Sequence, residues 1–324
     1  LIDYTSIKVI KHPLHGFSAK YQKEDVRLFT YLYASSKVEF TTKEPSTDSM
    51  NEMSVSSFVK FFEHPVEWYF NNILNIKFDD EDNTLPETEV FELNHLEQWF
   101  IKNDLLQLSD NEIEAYMHKQ IKEGKLPLKN LGRLTFQNIQ DEISNLKRVF
   151  VEEINNVKER IILIDVTINN IHLKGTIEGV YDKKFVAFSA SKNFNKNKVR
   201  AYIKALLLYA AGEIDKAVII DINGNITELT VPVNGNAVAE LEKLMAYVEK
   251  GKQAPLKITL KAAEKSPLTI ESVLKAFREE AEPGEYSLYK PNKYMQSLID
   301  EKYFRNYNEV DLEEIKEFKK LINI

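Results

Sequence analysis

Glu178, Asp182 and Lys192 fall within one short stretch, IHLKGTIEGVYDKKFVAFSASKN. Two carboxylates and a lysine on neighbouring strands are the groups that hold Mg²⁺ against a phosphodiester. Here the set is incomplete. Between Asp182 and Glu213 the chain has no acidic residue, although it carries Lys183, Lys184, Lys192, Lys196, Lys198, Arg200 and Lys204 and has a formal net charge of -7. Where a second carboxylate would stand, FVAFSASKN offers Phe188, Ser189, Ala190 and Ser191. One carboxylate with waters leaves a cation loosely placed, whereas phosphoryl transfer depends on positioning and on neutralising charge at defined oxygens. No catalytic residue is therefore expected. Glu178 reads as a strand-edge acid paired with Lys174 or Lys183, and Lys192 as a solvated or phosphate-facing lysine.

A second chemistry lies just downstream. Lys192, Lys196, Lys198, Arg200 and Lys204, interleaved with Phe194 and Tyr202, are suited to contacting phosphates and stacking on bases, against the alternative of a solvated helix start. The acidic sequence pI of about 5.6 argues against a chain that wraps DNA alone and fits one that borrows affinity from partners. The six His residues are scattered, with no HExxH pair, and Cys is absent, so a zinc site is not expected. His95 reads as a core or helix-surface histidine rather than a metal ligand. No GxxxxGK[ST] loop or dinucleotide fingerprint occurs, so no cofactor is expected in this chain.

The elements that must position these residues follow from periodicity. Apolar residues recur every three or four positions from Ser54 to Ile73, interrupted by His64-Pro65, which predicts a kinked or two-piece helix. Helices are expected near Leu93–Leu108 and Asp110–Lys122, and from Thr135 as N-cap, completing an N-terminal helical layer. The period then falls to two. IILIDVTIN, IHLKGTIEGVYD and KKFVAFSA predict an antiparallel meander turning at Asn169-Asn170 and Asp182-Lys183. A helix over Lys198–Ala211 stopped by Gly212, strands KAVIIDI and ITELTVPV about Asn223-Gly224, and helices near Asn236–Lys250, Thr269–Glu280, Asn292–Phe304 and Asp311–Leu321 complete an α/β or α+β core. The hydrophobic share of 43% is that of a folded chain, and no apolar run reaches the roughly twenty residues of a membrane span, so no membrane role is expected. A domain boundary is expected near Asp48, separating 1–48, a segment and linker continuing from a preceding region, from 49–324. A chain opening at Leu1 without Met reads as a piece of a longer polypeptide, with a cytoplasmic location as the default.

Helix, three meander strands, helix and strand is the core order of the PD-(D/E)XK nuclease superfamily, and the mixed sheet with flanking helices is expected to follow it. Particular strings are more specific. MSVSSFVKFFEHPVEWYFNNILNI resembles the opening of the nuclease-like domain of bacterial helicase–nuclease subunits, and KHPLHGFSAKY resembles the string preceding the C-terminal domain of the RecC family, the gamma subunit of exodeoxyribonuclease V. FELNHLEQWFIKNDLL, EGKLPLKNLGRL, Lys174-Gly175 and YVEKGKQAPLKI agree in the same order. The resemblance implies a nuclease fold without its catalytic residues. It would scaffold RecB-like and RecD-like partners and guide strands at DNA ends and forks, while Mg²⁺ and ATP are used by the partner subunits. An active member of the superfamily shows Gly-x-Ile-Asp, then an acid and a Lys two positions later. Gly175-Thr176-Ile177-Glu178 keeps only the first element, leaving Glu178, Asp182 and Lys192 as vestigial candidates. The alternative is an active Mg²⁺-dependent DNA exonuclease using those three residues. SLYKPNKYMQSLIDEKYFRNY, rich in Tyr, is suited equally to partner contact and to packing of terminal helices.

Overall fold

The computed structural model describes residues 12–16, 18–22, 28, 51–78, 90–191, 193–231, 236–283, 291–300 and 303–324. The expected boundary at 48/49, Lys192, Tyr286 and Tyr289 lie outside them. The apolar run after Ser54 forms two helices, α1 (Val55–Glu63) and α2 (Pro65–Asn72), because Pro65 has no N–H to continue the first and is well placed to start the second. Ser54 caps α1 through the Ser57 amide. Phe58, Phe61 and Phe62 of α1 are fully buried, each contributing about 2 kcal/mol of apolar burial. Next come α3 (His95–Gln107), α4 (Asp110–Lys122) and α5 (Lys129–Ile154), the first two opened by Asn94/Glu97 and Ser109/Glu112 capping boxes.

Strand β1 is Glu52–Ser54, and the long meander is β2 (Glu159–Ile168), β3 (Ile171–Tyr181) and β4 (Lys184–Phe188). Asn169 and Asn170 both take positive φ, as a two-residue hairpin turn requires. From β4 the chain crosses through α6 (Phe194–Ala210) to β5 (Lys216–Ile220), parallel to β4, and returns antiparallel as β6 (Ile226–Glu228). Helices α7 (Ala237–Gln253), α8 (Leu260–Ala263), α9 (Ile270–Ala281), α10 (Lys293–Asp300) and α11 (Glu309–Leu321) follow. One core joins α1, α2, α6, α7 and the terminal helices to β2 and β3, and a second joins α3 and α5 to Val186, Val218 and Ile220.

The sheet divides at β3. β2 lines one edge of β3 throughout, whereas the other edge is shared: β1 pairs in parallel over His172–Lys174, and β4 pairs antiparallel at Val180 and Tyr181 alone. β3 and β4 therefore diverge just past their turn. On the β2 side Arg160 pairs with Val180 and Ile162 with Ile177, so Glu178 and Gly179 together oppose Ile161 in a β-bulge. Gly179 there has φ +85°, and its amide donates to Glu159 Oε1 at 2.7 Å. At Gly175 a Cβ would meet Val55 Cβ at 3.0 Å, because α1 begins directly against the strand.

The structure corrects several expected elements. The helix expected from Thr135 begins at Lys129, since Gly132 lets the first turn lie on the Pro127 carbonyl; a Cβ there would sit 1.9 Å from that oxygen, and no side chain caps this start. The helix expected over Lys198–Ala211 starts at Phe194, though Gly212, with φ +71°, follows its end as anticipated. Of the strand expected over ITELTVPV, whose last two residues lie outside the described ones, Ile226–Glu228 is a strand among the described residues. Of the helix expected over Asn292–Phe304, the described residues form α10 up to Asp300 and a 3₁₀ turn at Tyr303–Asn306. The described aromatic residues of the terminal segment pack inward: Phe304 stacks on Phe277 at 4.4 Å, Tyr303 donates to the Pro255 carbonyl, and Tyr294 donates to Asn71 Oδ1.

Candidate nucleic-acid interface

The wedge between β3 and β4 is the place where the sequence would assemble a metal. Glu178 stands exposed on the β3 side, re-aimed by the bulge. It does not pair as expected: Lys174 lies 3.4 Å from Glu52, and Lys183 lies 3.8 Å from Asp215. Asp182 occupies the turn with φ +54°, roughly 13 Å further along the strand, where its carbonyl accepts from Arg160 Nη1. The structure therefore does not bring Glu178 and Asp182 together. Lys192 lies outside the described residues.

Across the wedge the end of β4 is sealed. Ser189 is 2% exposed; its amide donates to the Ile220 carbonyl, its hydroxyl donates to the Ser191 carbonyl, and it accepts from Asn197 Nδ2 at 2.8 Å. Ala190 is buried, and Phe188 meets Phe150 edge to face at 5.3 Å. The end of β4 thus offers a buried serine, which ties β4 to β5 and α6, and a buried alanine, and no carboxylate. A carboxylate there would be desolvated beside apolar neighbours. Among the described residues no group of three or more His, Asp or Glu is placed to hold a metal ion. His95 is the exposed first residue of α3.

The basic run resolves into two faces of α6. Lys196, Arg200 and Lys204 recur every four residues and share a stripe toward the α1 side, while Lys198 projects elsewhere. Arg200 Nε donates to Glu63 Oε1 at 2.5 Å. Lys196 Nζ lies 4.0 Å from Glu63 Oε2 and donates to His64 Nε2 at 2.8 Å. Burial and the Lys196 charge hold the His64 pKa below the ordinary imidazole value, which keeps the ring neutral and able to accept. Burial, and then Arg200, pull the Lys204 pKa down, while Glu178 and Glu63 oppose the shift. Burial lowers the Lys198 pKa as well.

Glu63, only 7% exposed and paired with Arg200 and Lys196, is the residue of this cluster that sequence reasoning did not pick out. The available signal was its position four residues after Val59, on the apolar face of a helix, where an unpaired acid is costly. Beside it a cleft of about 640 Å³ opens between the α1–α2 junction, the start of α6, and α8 and α9, lined by Glu63, His64, Lys196, Thr259 and Glu280 among others. Thr259 Oγ1 donates to Glu280 Oε1 at 2.5 Å, and burial pushes the Glu280 pKa up to about 7. No helix of the described residues is long and apolar enough to cross a membrane.

Residues 50–266 match the model of the RecC C-terminal domain. The RecBCD enzyme subunit RecC of Haemophilus influenzae is 24% identical over 288 residues, covering 80% of this chain and 25% of that protein. The subunit of the same name from Buchnera aphidicola (Acyrthosiphon pisum) is 23% identical over 218 residues, covering 66% of this chain and 20% of its own length. The chain thus spans about a quarter, or less, of the length of the curated relatives it matches. By the match over residues 50–266, the chain belongs to the RecC C-terminal domain family.

Proposed function

We propose that this chain is a noncatalytic, nuclease-like domain of a RecC-type subunit in a RecBCD-type helicase–nuclease. It would act in the cytoplasm in double-strand-break repair and recombination, scaffold RecB-like and RecD-like partners, and guide DNA strands. The element order of α5, β2–β4, α6 and β5 supports a PD-(D/E)XK-like core. The carrying observation is the end of β4: Ser189, with a buried, hydrogen-bonded hydroxyl, and Ala190, also buried, offer no carboxylate to the wedge. The donor set therefore does not suit a catalytic Mg²⁺, and Mg²⁺ and ATP belong to the partner subunits in this reading. The stripe Lys196, Arg200 and Lys204 supplies backbone contact to a passing strand, and Lys198 and Lys192 add local positive potential.

End-labelled forked DNA incubated with the purified chain and Mg²⁺ or Mn²⁺, beside Glu178→Ala, tests the reading. The expected result is salt-sensitive binding and no cleavage by either protein. Cleavage lost in Glu178→Ala would restore the alternative of an active exonuclease.

A further inference from the structure

The cations of α6 are unequally satisfied. Arg200 and Lys196 share Glu63, a nearly buried internal anion, and their side chains are only 38% and 33% exposed. Lys204, one turn further along the same stripe, makes no hydrogen bond or ion pair with a described residue. No buried side-chain nitrogen or oxygen among the described residues lacks a partner, so the Lys204 ammonium is not fully buried. The stripe thus runs from an end closed by a carboxylate to an end with no direct ion pair among the described residues, where Glu178 and Glu63 act only through their charge.

We propose that Glu63 stands in for a nucleic-acid phosphate on this stripe. A single DNA strand engages Lys204 first and is held fully only when its phosphate replaces Glu63 on Arg200 and Lys196. The ligand is the phosphodiester backbone, read by charge and not by base, and the inference rests on the DNA-contact reading above. Carboxylate and phosphate both present oxygens to a guanidinium, and the observed contact engages Arg200 through Nε. An anion built into the site competes with every incoming phosphate, which lowers affinity without abolishing it and lets a strand move along the stripe.

The test is fluorescence anisotropy of a labelled single-stranded oligonucleotide over a salt series, with wild type, Glu63→Gln, Lys204→Gln and Glu63→Gln/Arg200→Gln. Glu63→Gln is expected to bind on the order of tenfold tighter, with a slope of log K against log salt steeper by about 0.7, the increment for one more phosphate on a single strand. Lys204→Gln is expected to weaken binding, and Arg200→Gln to cancel the gain of Glu63→Gln. Unchanged or weaker binding by a Glu63→Gln protein that melts like wild type, while wild type binds, overturns the exchange and leaves DNA contact standing. Absence of salt-sensitive binding in both proteins overturns the DNA reading itself. Should Glu63→Gln not fold, Lys204→Glu supplies the converse: a second internal anion, with weaker binding and a shallower slope expected, and equal affinity overturning the proposal.

Discussion

Where β3 and β4 part, the two strands treat their polar groups in opposite ways. On β3 a two-residue bulge turns Glu178 into solvent, with no described partner within ion-pair distance. At the end of β4, Ser189 is buried and makes hydrogen bonds through both its amide and its hydroxyl. One arm has kept an acid that supports nothing structural, and the other has become a tether for β5 and α6. A metal centre would need both arms to present carboxylates to the same point, and the buried end of β4 presents none.

Reversing the difference on β4 gives the largest expected effect. Ser189→Asp places a carboxylate at a buried site with no described cation beside it and breaks the Asn197 contact, for a loss of about 3–5 kcal/mol in urea denaturation. Stability equal to wild type, together with Mg²⁺-dependent cleavage, would show that β4 was not sealed at all.

The next effect compares Glu178 with a carboxyl group that the fold does bury. Glu280 sits beside Thr259, and its pKa is raised from 4.5 to about 7, chiefly by burial. Between those values the unfolded chain has released the proton that the folded chain retains. Stability from this group is therefore greatest below about pH 4.5, falls as pH rises, and has fallen by about 3 kcal/mol once pH passes 7. Glu280→Gln should flatten that part of a stability–pH profile measured by thermal melting, and an unchanged slope would show that the carboxyl is hydrated.

A smaller change concerns the bulge itself. Gly179 has φ +85°, and a Cβ would stand 3.2 Å from the Val186 carbonyl, so Gly179→Ala should cost about 1–3 kcal/mol. Should alanine be accepted without loss, the bulge would be loose and Glu178 would not be held in its exposed position.

Much of this arrangement is legible in sequence. The meander, its Asn169-Asn170 turn, the break at His64-Pro65 and the stop at Gly212 are local signals, and each lies where its chemistry places it. The strings shared with the RecC family are also local. What escaped depends on partners far along the chain. β1 is three residues long and is a strand only because His172–Lys174 lies beside it. The start of α5 depends on Gly132 meeting Pro127. The basic run reads as one patch until the helix divides it, and Glu63 enters the site across 137 positions of sequence from Arg200. Glu178 was expected to pair with a neighbouring lysine, because one-dimensional proximity says nothing of which lysine another acid has already taken.

The smallest expected effect sharpens the comparison most. Glu178→Ala removes an exposed carboxylate that no described residue contacts, so its stability should stay within about 0.5 kcal/mol of wild type. Its effect on DNA should have a definite sign: Glu178 opposes the lowering of the Lys204 pKa, and its removal leaves that cation with less internal negative charge nearby. Single-strand binding should therefore tighten slightly, by less than in Glu63→Gln, because Glu178 remains in water and is screened. Weaker binding by Glu178→Ala, restored by added Mg²⁺ only in wild type, would mean that the exposed arm still recruits a cation to hold the phosphate. The two arms would then differ in degree, and sealing β4 would have ended cleavage while leaving metal-assisted binding in place.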